Sequence, residues 1–360
     1  MATITTMADV PDIAVGPTSS ARARDGNAAP RAAFAVRFSP DGGRLAVARG
    51  DDSVDVLFTA GGKGGEPAKE RPMLPLVTLR ASGEELPAMA VRWVVGDRLL
   101  SAHANGQLRL CDAAAAGQIL AVGRVEDAGG AAELYALDSR PTAPDSCVVA
   151  GKGSKATVYA VAGDGLRVAM SFGQLADPGQ PDTERLYSVR LSADGRRCIT
   201  AGWGRVARLW DLRAPPVPVL EIPGPDVRGD GLDLADDTLL TVSYAVAAVD
   251  AVQLWDLRGS AAARSSVTMP QDADGAFFSC GQLHPTNACL LAVGGRHGHA
   301  RVVDFTSGAV VGAYPCGGGD AVSGGGANVH AVYGLDFSPD GRALAVGGAC
   351  ATVGMHMLPC

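Results

Sequence analysis

Chemistry in this chain would have to come from its histidines, carboxylates and cysteines, and their spacing decides whether they can act together. Arg296-His297-Gly298-His299 sets two imidazoles one residue apart. Such a pair holds a metal when a third ligand arrives, but no acid or cysteine of fixed spacing accompanies it. It reads as a solvated turn. The eight cysteines, Cys111, Cys147, Cys198, Cys280, Cys289, Cys316, Cys350 and Cys360, lie far apart with no C-x-x-C pair. They read as small buried hydrophobes rather than a zinc or redox motif. Gly151-Lys152-Gly153-Ser154-Lys155 has the letters of a phosphate-binding loop without the G-x-x-x-x-G-K-[ST] spacing. G-x-S-x-G and H-E-x-x-H do not occur, which removes the commonest hydrolase and zinc-protease signatures. The sequence therefore predicts no catalytic residue, no metal and no cofactor, and the chain reads as a non-enzyme.

Two dipeptides remain, Trp210-Asp211 and Trp255-Asp256, each followed two residues later by an arginine, Arg213 and Arg258. Asp211 and Asp256, with Asp112 at the matching place of an earlier unit, have the chemistry of catalytic carboxylates. They close repeated strands, however, and such positions are structural first. Trp210 and Trp255 sit between alternating apolar residues and read as core, each indole N–H requiring one buried partner.

The elements that carry these residues recur. Leu186 to Arg213 runs as strand, turn, strand, turn, strand, and copies of that plan begin near Phe34, Met89, Leu134, Gly231, Phe277 and Val332. Ser39-Pro40-Asp41-Gly42 is a turn with a mechanism, because Pro has its φ already set, Asp tolerates the next position and Gly accepts the one after it. Asn105-Gly106 between two apolar runs marks a hairpin, since both residues accept positive φ. Reference positions Phe38, Trp93, Asp138, Leu191, Leu234, Leu283 and Phe337 are 55, 45, 53, 43, 49 and 54 residues apart, the period of four-stranded blades. Between units lies one more apolar run, for example 74–80, 119–125, 166–172, 217–222, 265–269 and 309–314, each expected to be an outer strand. The seventh unit has no such run after it. An open three-stranded edge is disfavoured, so a strand near Asp12 to Val15 is expected to add to the last unit and close the ring.

Composition agrees with that reading and narrows the function. A chain with 47 Gly and 22 Pro turns too often for a helix bundle. A net charge of −7 repels phosphate backbones, so nucleic acid is not the expected main ligand. No leader-like stretch and no uncharged apolar run near ~20 residues is present; the expected location is intracellular, cytoplasmic or nuclear, with a ciliary compartment also open. Residues 1–31 read as a tail apart from the possible strand near 12–15, and 32–360 as one domain. Gly61 to Pro72 and Gly317 to Asn328 read as glycine-rich loops.

The WDLR runs at 210–213 and 255–258 and the FSPDG turns at 38–42 and 337–341 resemble the WD40-repeat family across residues 34–358. The resemblance implies an all-β, seven-bladed WD40-type β-propeller. It also implies a non-catalytic scaffold or adaptor for other proteins in a eukaryotic multiprotein complex, with no membrane and no small-molecule substrate expected. Two alternatives stand beside it. W-D-x-R resembles the docking box by which some members join the adaptor of cullin-type ubiquitin ligases, and Arg213 and Arg258 would then be the partner-binding residues. The other is a propeller enzyme. A channel mouth crowded with Asp, Glu and His favours it, and apolar or mixed loops count against it. The chain departs from the family in lacking the opening Gly-His pair, and Cys111, Tyr159, Val303 and Met355 or a neighbour stand where tryptophan is usual. The family's hydrogen-bonded set of His, Asp, Ser and Trp is therefore expected to be broken in most units.

Overall fold

Runs of five or six residues rich in Val, Leu and Ala, each cut off by Gly, Pro or Asp, are too short for helices with a buried stripe and fold instead as short strands. A computed structural model describes residues 31–59, 75–80, 86–94, 97–114, 117–127, 130–140, 142–173, 184–214, 217–244, 251–259, 263–267, 277–296, 298–316, 331–349 and 353–358. Among these residues there is no helix. The strands form seven antiparallel blades, each ordered by sequence from the innermost strand outward, and one two-stranded ribbon, Glu126–Asp127 with Gly130–Ala131, between the second and third.

Blade 1 comprises Ala33–Phe38, Arg44–Arg49, Val54–Phe58 and Pro75–Leu79. Blade 2 comprises Ala88–Trp93, Arg98–His103, Gln107–Asp112 and Gln118–Arg124. Blade 3 comprises Leu134–Arg140, Ala143–Gly151, Lys155–Ala162 and Gly165–Gly173. Blade 4 comprises Leu186–Leu191, Arg197–Gly202, Val206–Asp211 and Leu220–Pro223. Blade 5 comprises Leu232–Ala235, Thr238–Val242, Val252–Asp256 and Ala263–Val267. Blade 6 comprises Phe278–Leu283, Leu290–Gly295, His299–Asp304 and Ala309–Pro315. Blade 7 comprises Val332–Phe337, Ala343–Gly348 and Gly354–Met357. The protein is a seven-bladed β-propeller, as the repeat period predicts.

Turn chemistry fixes the short connections. Ser39, Ser192 and Ser338 each accept, through the hydroxyl, a backbone N–H five residues on at 2.9 Å. The glycines three residues after each serine, Gly42, Gly195 and Gly341, have φ of 71°, 68° and 72°, which a Cβ disfavours. The core lies between blades rather than within them. Cys198 and Trp210 of blade 4, for example, pack with Val148, Ala150, Phe172 and Leu191. The ring closes the same way, with Val36, Phe38, Leu45 and Leu57 of blade 1 against Ala343 and Ala345 of blade 7.

The structure shifts one sequence reference. Strand register pairs Ser139 with Cys147, as it pairs Phe38 with Leu45 and Leu191 with Cys198. Ser139, not Asp138, is thus the counterpart of Phe38; the apolar side chain expected there is replaced, which misaligned this unit by one residue. The closing strand expected near Asp12 to Val15 and the two glycine-rich loops lie outside the described residues.

Candidate functional site

The inner strands surround a channel, and one register position on each of them points charge or amide into it. These residues are Arg37, Arg92, Asp138, Arg190, Asp233, Gln282 and Asp336. A charge in a buried channel is tolerated only when paired and hydrogen-bonded, and the seven meet that condition by capping one another across blades. Asp138, Asp233, Gln282 and Asp336 accept the N–H of Leu191, Leu283, Phe337 and Phe38 at 2.8, 2.9, 2.8 and 2.7 Å. The last of these crosses the seam between blades 7 and 1. Arg92 Nε meets Asp138 at 2.8 Å, and Arg190 Nη2 meets Asp230, just before the inner strand of blade 5, at 2.7 Å. Arg37 closes on Asp230 as well.

The belt sets its own protonation. Burial raises the Asp230 carboxyl, but the Arg190, Arg37 and Arg92 guanidiniums outweigh it and hold the group well below the usual carboxylate range. Asp138 is likewise lowered, burial being overcome by Arg140, Arg92 and Arg190. At Asp336 burial prevails over Arg37 and the carboxyl is raised. A raised buried carboxyl is the usual mark of an acid catalyst, yet both Asp336 oxygens are engaged, by Phe38 N–H and by Gln282 Nε2 at 2.7 Å each.

Three residues earlier on each inner strand, or just before it, the character changes. Blades 7, 1, 2, 3 and 4 place Tyr333, Phe34, Met89, Tyr135 and Tyr187 there, while blades 5 and 6 place Asp230 and Ser279. Phe34 stacks on Tyr333 at 5.4 Å and Tyr135 on Tyr187 at 4.9 Å. The same face carries Trp203, with the Arg185 guanidinium 4.5 Å over its ring, and the Tyr244–Phe277 pair at 4.9 Å. Cation–π contacts of this kind favour a guanidinium at an aromatic surface. This is an aromatic mouth at the end of the channel where the inner strands begin.

Outside the channel, Ser101 Oγ lies 2.8 Å from His103 Nε2, and His103 Nδ1 lies 2.8 Å from Asp52 Oδ1. That is the arrangement of a serine nucleophile, base and orienting acid, but Asp52, Ser101 and His103 are 1–2% exposed. No substrate reaches it. Arg109 Nη1 also binds Asp52 at 3.0 Å, so the group staples the turn of blade 1 to blade 2. Asp52 takes φ of 70° to reach both. Part of the family's hydrogen-bonded set thus survives here, and another part in blades 4 and 5. Trp210 and Trp255 are buried as expected, their Nε1–H groups donating to Thr200 and Thr241 at 3.0 and 2.9 Å.

Of the residues singled out in the sequence, Arg213 and Arg258 are 63% and 75% exposed and fold back on Asp211 and Asp256. They sit where the third strands of blades 4 and 5 end, on the face opposite the aromatic mouth. Their two carboxyls are pulled down to about 2, first by the bond from the arginine side chain. Asp112, at the same place in blade 2, accepts the N–H of Ala114 at 2.8 Å. All three aspartates tie turns. His299 is exposed and His297 lies outside the described residues; no cluster able to hold a metal occurs among the described residues. The belt and the mouth escape motif reading because no single residue type recurs in every blade; the available signal is a polar residue at fixed register inside each apolar inner strand.

The profile of the family described as WD domain, G-beta repeat matches residues 178–211 and 327–355, which carry most of blades 4 and 7. The ring of seven four-stranded or three-stranded blades gives the class, a β-propeller. Together with the repeat matches it makes the chain a WD40-repeat protein, and propellers of that family serve in general as protein-interaction modules without catalysis of their own. No curated protein matches the chain.

Proposed function

We propose that this chain is a non-catalytic interaction scaffold, an adaptor in a eukaryotic multiprotein complex, and that it docks a partner protein over the aromatic mouth. One observation carries the reading: five of seven blades place a large apolar or aromatic side chain at the same mouth position, Met89, Tyr135 and Tyr187 buried as its floor and Phe34 and Tyr333 half-buried at its surface. Interfaces concentrate binding in such side chains, because Tyr, Trp and Phe bury much area at small entropic cost. The enzyme alternative loses support, since no histidine lines the channel among the described residues and the channel carboxylates there are engaged by arginines or backbone N–H groups.

The test is affinity purification with mass spectrometry from the native cell, using the full chain and Tyr333→Ala. Tyr333 is only half-buried, so the variant is expected to fold and to lose at least one partner. Retention of every partner overturns the mouth as the docking surface. The ligase reading has its own support, two exposed arginines on the same face of adjacent blades, and a separate test below.

A further inference from the structure

The channel is not filled. On the side away from the aromatic mouth, the belt opens into a cavity of about 180 Å³ lined by Arg37, Arg92, Arg140 and Arg190 against Asp138, Asp233 and Asp336, with Trp93 and Phe337 at its wall. At roughly 10–15 Å³ per water-sized site, that is room for about a dozen such sites.

The arginines are not equivalent. Arg37, Arg92 and Arg190 each donate Nη1–H to the carbonyl of the preceding residue, at 2.7, 3.1 and 2.9 Å. The Nη2 groups of Arg37 and Arg190 then end on Asp230. Arg92 Nη2 has no partner among the described residues, although the side chain is only 9% exposed. Arg140 donates Nε–H to Leu191 O and Nη2–H to Leu234 O at 2.8 and 3.2 Å, and its Nη1 has no partner among the described residues. Arg92 and Arg140 share one carboxylate, Asp138, at 2.8 and 3.4 Å. Two cations thus face the chamber with one anion between them. Unsatisfied donors beside excess positive charge are what an oxyanion needs, and a planar guanidinium meets carboxylate or phosphate oxygens well.

We propose that this chamber binds a small organic oxyanion, a carboxylate or phosphate, on Arg92 and Arg140. The site is separate from the aromatic mouth and does not depend on the docking reading. The field agrees: burial, then repulsion from Arg37 and Arg190, pushes the Arg92 guanidinium down to about 10. A bound anion reverses that repulsion.

The experiment titrates the full chain with sodium phosphate and, separately, sodium succinate, against sodium chloride at matched ionic strength, reading tryptophan emission and Tm. Trp93 lines the chamber, donating Nε1–H to Arg37 O at 3.0 Å. A saturable emission change with at least one of the two anions, lost in Trp93→Phe, and a rise in Tm over chloride are expected. Arg92→Met should weaken the binding at least tenfold. Arg140→Gln, which leaves the Arg92–Asp138 contact in place, serves if Arg92→Met does not fold and should weaken it as well. Neither anion differing from chloride means that the chamber holds water only and overturns the proposal. So does binding that survives unchanged in these arginine variants.

Discussion

On every inner strand the belt and the aromatic mouth lie three residues apart, on neighbouring levels of one channel, yet they solve opposite problems. At the belt, Arg37 and Arg190 reach Asp230 at the mouth level of blade 5, and Asp336, Gln282 and Phe337 satisfy one another across blades. Changing one member strands its partners. At the mouth, Phe34 with Tyr333 and Tyr135 with Tyr187 stack in pairs; the second pair is buried, and the half-buried first pair keeps ring surface for a guest. Charge in the channel is therefore mostly architecture, and aromatic surface at its end is the part open to a partner. Arg92 and Arg140 are the exception within the belt, and that is what makes them informative.

The contrast can be broken by measurement. Asp138→Ala should have the largest effect, because it removes the carboxylate that Arg92 and Arg140 share and the acceptor of the Leu191 N–H; removing one side of a buried pair typically costs about 3–5 kcal/mol. Urea denaturation reads it, and a loss below ~1 kcal/mol would mean that the belt does not hold the blades. A smaller effect tests whether the sealed Ser101–His103–Asp52 group is structural like the belt. Burial holds the His103 imidazole below its ordinary 6.5, against the bond to Asp52. The unfolded chain then takes up the proton first, so the stability His103 contributes is complete above 6.5 and is lost as pH falls from there through the lower folded value. His103→Gln should flatten the change in urea midpoint between pH 7.5 and 5.5; an unaltered slope would show that His103 is not its source. The smallest structural effect belongs to Arg213→Ala with Arg258→Ala, which should leave Tm unchanged because both side chains are solvated. In a pull-down the same double variant decides the ligase reading: loss of a cullin-ligase adaptor supports it, and retention of every partner sinks it.

The blades were legible because their signals are local. Ser39-Pro40-Asp41-Gly42, Asn105-Gly106 and the alternation of Val206 to Trp210 each act within a few residues, and the structure puts a turn or strand at each. Trp210 and Trp255 were readable for the same reason. The unit around Asp138 was not, since a polar residue at a shared register position looks like the end of an apolar strand when read alone. Asp52, Ser101 and His103 were invisible for a different reason: nothing local links residues in two blades, and neither Asp52 nor His103 lies in a recognised pair.

What the sequence determined alone is the repeat. Its turns, its period near 50 residues and its apolar alternation impose short antiparallel sheets that can bury their faces only against one another. Which residues meet in the channel was decided by the closure of the ring. Arg37 and Asp230 are separated by 193 residues, and Phe38 and Asp336 by 298; no pattern within a blade specifies such a pairing. The ring also turns three arginines, three aspartates and a glutamine at one register into a belt, and the seven residues three places earlier into a mouth, because only circular packing brings equivalent positions of every blade to a common axis.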